Sequence, residues 1–196
     1  MQQQELPNLN YGLNVKTLSV AMKPSIVPAI LDHYLRKPLD QDYIVGTLLG
    51  TIDGQKVNVS NSFGVPLTYH KDKDGEGEFH VDMEFQAKML KFYSNVNPNE
   101  GLVGMYISSV VFDALTTAAV GHYHSLFNKE EKSKNALLPS PVILMIDPKL
   151  SKSHMPLKVY YTANTFLKDL PMFCELRHEF EMEEVDETGL DILYYG

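Results

Sequence analysis

Residues 43–65, YIVGTLLGTIDGQKVNVSNSFGV, decide the fold class. Tyr43–Ile52 and Lys56–Val65 are apolar and rich in β-branched residues, as strands of a buried sheet must be. They meet at Asp53-Gly54, a dipeptide that supplies the left-handed backbone of a tight hairpin turn. The chain therefore contains a long β-hairpin near its first quarter, and the remaining elements must pack against that sheet.

Working outward, Leu13–Val20 alternates Leu13, Val15 and Thr17 with polar neighbours and reads as a strand. Residues 24–37 read as a helix in which Pro24 and Pro28 fall in or before the first turn, with Ser25 as N-cap. Ile30, Leu31, Tyr34 and Leu35 give this helix its apolar face. Residues 66–80 read as a polar loop, and Asp82 then caps a helix that runs to about Tyr93 and ends before Asn97-Pro98-Asn99. Leu102–Ser108 reads as a buried strand, 114–127 as a helix, and 128–141 as a charged surface loop. Further strands are expected at 142–147, 157–163, 173–183 and 189–195. Most strands follow one another directly. The expected class is α/β, with a mixed, mostly antiparallel central sheet flanked by helices.

Of 196 residues, 44% are apolar and 21% charged, enough to bury the core of one domain. Cys174 is the sole cysteine, which excludes an internal disulfide and a multi-cysteine zinc site. No apolar run reaches the roughly 18 to 20 residues of a membrane span, and Met1-Gln-Gln-Gln-Glu-Leu has no signal-peptide character. These features read as a soluble intracellular domain. The formal net charge of −8 lies wholly in residues 169–196, which hold nine acidic residues against Arg177. A neutral body with an acidic end lacks the cationic footprint of direct nucleic-acid binding.

Several local patterns have plain structural readings. Asp72, Asp74, Glu76 and Gly77 imitate the start of a calcium loop, but its twelfth position is Met83 where a bidentate carboxylate is required. His122-Tyr123-His124 could share a metal on a strand. On the helix expected here the two imidazoles diverge by about 200°. Asn58-Val-Ser60 is a sequon inside a strand, and Cys174 reads as a buried apolar thiol.

The helix after Asp82 is more informative. On a wheel, Phe85, Met89 and Phe92 gather on one side, while Met83, Ala87 and Leu90 gather nearly opposite. Two opposed apolar stripes imply burial on both sides. Either a loop or the 24–37 helix covers the second stripe, or a partner chain does. In the second case Met83, Ala87 and Leu90 are the contact residues.

Taken in order, further pieces form a set. Val15-Lys-Thr-Leu-Ser-Val, Pro24-Ser-Ile-Val, Asp32-His-Tyr and Ile44-Val-Gly-Thr-Leu-Leu-Gly-Thr-Ile open it. Val81-Asp-Met-Glu-Phe, Val96-Asn-Pro-Asn-Glu, Gly104-Met-Tyr, Met172-Phe and Glu187-Thr-Gly-Leu-Asp-Ile continue it. From about residue 14 onward the chain resembles the MPN (Mov34-type) family, and is most similar to the branch found in translation initiation factor 3. The resemblance implies one MPN domain over 13–196 after a flexible segment at 1–12. Family members carry further C-terminal helices, so the chain is expected to be a truncated form.

Active members of that family are zinc isopeptidases acting on ubiquitin-type chains. Two imidazoles and a carboxylate hold Zn²⁺ with one position open for water, a Glu serves as general base, and a Ser helps bind the oxyanion. The corresponding positions here are Tyr43 for the Glu, Ile107 and Ser109 for the imidazoles, Thr117 for the Ser and Val120 for the carboxylate. Asp42 and Asp113 miss the required places, and no His occurs between His80 and His122. The resemblance thus implies a chain without metal, cofactor or catalysis. It would be a cytoplasmic scaffold among the subunits of initiation factor 3, paired with another MPN subunit and touching the small ribosomal subunit indirectly. Two alternatives stand beside it: an active zinc isopeptidase, and a scaffold of the proteasome lid or COP9 signalosome.

Overall fold

A computed structural model describes residues 18–71, 77–130, 140–149, 157–163 and 172–182. The strand residues expected at 13–17 and 189–195, the calcium-like run at 72–76 and most of the 128–141 loop lie outside the described residues.

Strand β1 (Ser19–Met22) is followed by helix α1 (Ile26–Leu35). The expected hairpin forms as β2 (Val45–Asp53) and β3 (Lys56–Val65), and Gly54 takes a φ of 57° in its turn. Then come β4 (Leu67–Lys71), β5 (Gly77–Val81), α2 (Met83–Val96), β6 (Gly101–Ile107) and α3 (Ala114–Glu130). The described chain ends with β7 (Val142–Ile146), β8 (Leu157–Ala163) and β9 (Met172–Phe180).

The central sheet is mixed, as expected, and it closes on itself in the order β1-β3-β2-β6-β7-β8-β9. Four of its neighbouring pairs are antiparallel, while β1 lies parallel to both β3 and β9, and β6 parallel to β7. Closure leaves no edge in the main sheet, which removes the commonest route to edge-to-edge aggregation. Val20, Met22, Leu48, Val59, Val142, Leu144 and Val159 meet inside with no room for a water molecule, so the barrel is a packed core and not a channel.

Residues 66–80 are not a simple polar loop. Their two ends pair as the β4–β5 hairpin, with Leu67 opposite Val81 and Tyr69 opposite Phe79. The alternating apolar residues that build it are masked in the sequence by the charged run between them. Leu35, placed on the apolar face of α1, is 82% exposed at the end of the helix, while Ile30, Leu31 and Tyr34 pack on the core. Asp82 caps α2 as expected, its carboxylate accepting from the Phe85 amide at 2.8 Å.

Candidate functional site

At the positions that the resemblance aligns with the family's metal ligands, β2 begins beside the end of β6. The Ser108 hydroxyl accepts from the Ile44 amide at 2.9 Å, and the Ser108 amide donates to the Ile44 carbonyl at 3.1 Å. Val45 is opposite Ile107 in the ladder. The backbone thus brings Tyr43, Ile107 and Ser109 to neighbouring positions. Ile107 is fully buried, Tyr43 is half-buried, and Val120 of α3 turns into the same core as Ile107.

The polar groups nearby serve the local backbone. The Ser109 hydroxyl donates to the Val111 carbonyl at 2.9 Å and accepts from the Val111 amide at 3.2 Å. Asp113 caps α3 by accepting from the Thr116 amide and hydroxyl, both at 2.8 Å. Thr117 donates to the Asp113 carbonyl on the exposed side. Zinc needs three or four donor atoms at one point. Ile107 and Val120 have no lone pairs, and the Ser109 hydroxyl is engaged in its own turn. Among the described residues no group of three His, Cys, Asp or Glu comes together, so the side chains at this position do not fit a zinc ion.

The other singled-out residues are dispersed. His122 and His124 both lie on α3 and point apart: His122 faces Gln86, while His124 Nδ1 is 3.1 Å from the Asn128 amide nitrogen. Cys174 is half-buried on β9, and Asn58 is held inside β3.

Two polar seams fix the helices to the barrel. The first joins α2 and α3 to β2. His122 Nε2 donates to Gln86 Oε1 at 2.9 Å, Gln86 Nε2 donates to the Thr47 hydroxyl at 3.2 Å, and that hydroxyl bonds Tyr123 at 2.9 Å. Thr47, Gln86 and Tyr123 are essentially inaccessible to solvent. Burial pushes the Tyr123 phenol well above its usual range, with the Thr47 bond opposing, so the group stays neutral. Burial, aided by Lys129, lowers His122 below the ordinary 6.5. The sequence did carry a signal for this seam: Gln86 sits between Phe85, Met89, Leu90 and Tyr93 on the wheel, a polar residue centred in an apolar arc.

The second seam joins α1 to the barrel. Gly64, Gly46 and Tyr106 stand in one row across β3, β2 and β6. A Cβ at Gly46 would fall 2.2 Å from the Tyr106 ring, and one at Gly64 would fall 2.5 Å from the His33 ring. The two glycines make the space in which the Tyr106 hydroxyl and His33 Nδ1 share a hydrogen bond at 2.7 Å. Burial lowers the pKa of His33, against the pull of Asp32, and raises that of Tyr106. Beside this seam lies a solvent-open groove of about 340 Å³, lined by His33, Lys37, Gln41, Ile44, Val65 and Phe85 among others.

The α2 face departs from the two-stripe reading. Phe85, Met89, Leu90 and Tyr93 pack against Leu49, Phe63 and Val65 of the sheet, while Met83 and Phe92 are 57% and 61% exposed. Ala87 is exposed, but Leu90 is half-buried against the core. Each stripe therefore turns one margin inward and the other outward.

Comparison with known proteins gives a consistent result. The F subunit of eukaryotic translation initiation factor 3 from Phaeosphaeria nodorum is 29% identical over 183 residues, covering 90% of this chain and 50% of that protein. Its counterpart from Aspergillus terreus is 28% identical over the same shares, and that from Malassezia globosa is 33% identical over 54% of this chain and 34% of its own. The chain spans about half the length of the curated relatives it matches. The family model described as JAB1/Mov34/MPN/PAD-1 ubiquitin protease matches residues 15–133, more than half of the sequence, and the chain belongs to that family.

Proposed function

We propose that this chain is the MPN-domain part of a subunit of translation initiation factor 3 and works by protein contact without catalysis. What supports the non-catalytic half of this reading is that Ile107, aligned by the resemblance with a zinc-binding imidazole, is aliphatic and fully buried. The assembly half rests on relatives named as the F subunit of that factor, which match nine-tenths of the chain. The partners are the other subunits of the factor, with another MPN subunit as the direct one and the small ribosomal subunit reached through the complex. The setting is the cytoplasm, in keeping with the absence, among the described residues, of any helix long and apolar enough to cross a membrane.

The contact surface of α2 is proposed to run over Met83 and Ala87. Leu90 is a poor probe of it, because a charge there would also disturb the core it packs on. Affinity purification of the tagged full-length protein from cells is expected to recover initiation factor 3. Met83→Glu with Ala87→Glu is expected to reduce that recovery without lowering the melting temperature. Recovery of the proteasome lid or signalosome instead would overturn the assignment. Stoichiometric zinc in the purified protein, together with cleavage of ubiquitin chains, would overturn the non-catalytic reading.

A further inference from the structure

Helix α2 could meet the sheet in more than one way. Phe85, Met89 and Phe92 form one apolar stripe, and Met83, Ala87 and Leu90 form another nearly opposite. If apolar burial alone chose the roll, one stripe would face inward entire. The first is the larger, with two phenylalanines, and Val96 at the helix end falls on the same side. The structure adopts neither arrangement. The inward arc runs from Phe85 to Leu90, about 140° at 100° per residue, and Gln86 lies within it at 1% exposure. Phe92, just outside that arc, is consequently left 61% exposed.

Burying an amide in this position is unfavourable unless both ends are bonded. Here both are, by Thr47 on β2 and His122 on α3, whose positions are set by their own elements. We infer that Gln86 is the positioning residue that sets the roll of α2 about its axis, and so determines which apolar side chains remain on the surface. A single polar residue at an otherwise apolar seam performs the same service in coiled coils, where it fixes register at some cost in stability. The inference rests on packing alone. Its extension, that this roll selects the partner, depends on the proposed function above.

Methionine oxidation separates the two levels, because Met83 and Met89 lie on different sides of the helix. With dilute hydrogen peroxide and peptide mass spectrometry on the full chain, Met83 is expected to oxidise faster than half-buried Met89. Replacing the amide's partners together, with Thr47→Val, His122→Leu and Tyr123→Phe, orphans Gln86. The helix is then expected to roll toward its larger stripe, which turns Met83 further outward, keeps Met89 at the same depth and raises the Met83 to Met89 rate ratio by up to about twofold. General loosening would instead raise both rates together. Adding Gln86→Leu to that variant makes the whole arc apolar and is expected to return the ratio to its original value.

A folded partner-less variant with an unchanged ratio would overturn the inference. If that variant does not fold, the one with Gln86→Leu added decides. Recovery of fold and ratio supports the inference, and failure to recover sinks it, since the chain would then be needed for stability and not orientation. Because no partner is present, these outcomes are independent of whether initiation factor 3 binds the α2 face.

Discussion

The seam under α1 and the seam under α2 and α3 do the same task by different means. Each attaches a helix to the barrel through buried hydrogen bonds. Under α1 the decisive element is space: Gly46 and Gly64 remove two Cβ atoms so that Tyr106 and His33 can cross the sheet. Under α2 and α3 it is chemistry: Thr47, Gln86, His122 and Tyr123 satisfy one another in a chain. A seam made by space fails when an atom is added. One made by donors and acceptors fails when an atom is taken away. The first kind is the stiffer, because a close-packed interior yields little to an intruding methyl group.

The sharpest break of this comparison is Gly46→Ala. The new methyl would overlap the Tyr106 ring, which is itself 1% exposed and has nowhere to go. A loss of about 3 kcal/mol or more is expected by denaturant unfolding. Gly64→Ala is expected to cost less, about 1 to 2 kcal/mol, because the half-buried His33 can swing outward at the loss of one hydrogen bond. Equal losses at the two positions would show that the α1 seam yields as a unit, and would remove the distinction drawn between its buried and its exposed halves.

The pH dependence sharpens the same contrast. His33 and His122 both have folded pKa values below 6.5, chiefly because burial disfavours the imidazolium. The unfolded chain therefore binds more protons in this range, and stability falls as pH drops below about 6.5. The two seams should respond differently. A protonated His33 can only donate at Nδ1, so the Tyr106 hydroxyl must accept there, whereas His122 donates from Nε2 to Gln86 in either state. Melting curves between pH 7.5 and 5.5 are expected to fall less steeply for His33→Gln than for the native chain. An identical slope would mean that the α1 seam tolerates the charge.

Much of this architecture is legible in the residues themselves. β3 spans the expected residues, β2 begins two residues late, and α2 starts at its expected cap, because turn chemistry and N-caps are local. Closure of the barrel is not legible. It depends on β1 lying parallel to β3 and β9, pairings between residues far apart in sequence that periodicity does not encode. The β4–β5 hairpin is hidden by the charged residues between its strands. On α2 the departure is instructive: an apolar wheel gives two stripes because it counts Gln86 as a gap, whereas hydrogen bonding makes it part of the buried arc. Hydrophobicity locates a helix on a sheet only coarsely. The polar residues it must carry inward fix the remaining degree of freedom.

That view also says which polar pair on α2 should not matter. Lys88 and Glu84 form an i,i+4 ion pair at 2.8 Å, and their side chains are 63% and 81% exposed. In water such a pair gains little Coulomb energy and must order two long side chains, so it contributes about 0.5 kcal/mol at most. Lys88→Ala is expected to lower stability by no more than that and to leave the Met83 to Met89 oxidation ratio unchanged. A shift in that ratio would mean that surface charge helps to orient the helix. The buried chain through Gln86 would then share a role that the geometry assigns to it alone, since among the described residues the ion pair joins only Lys88 and Glu84 of α2 and so cannot resist rotation of the helix as a body.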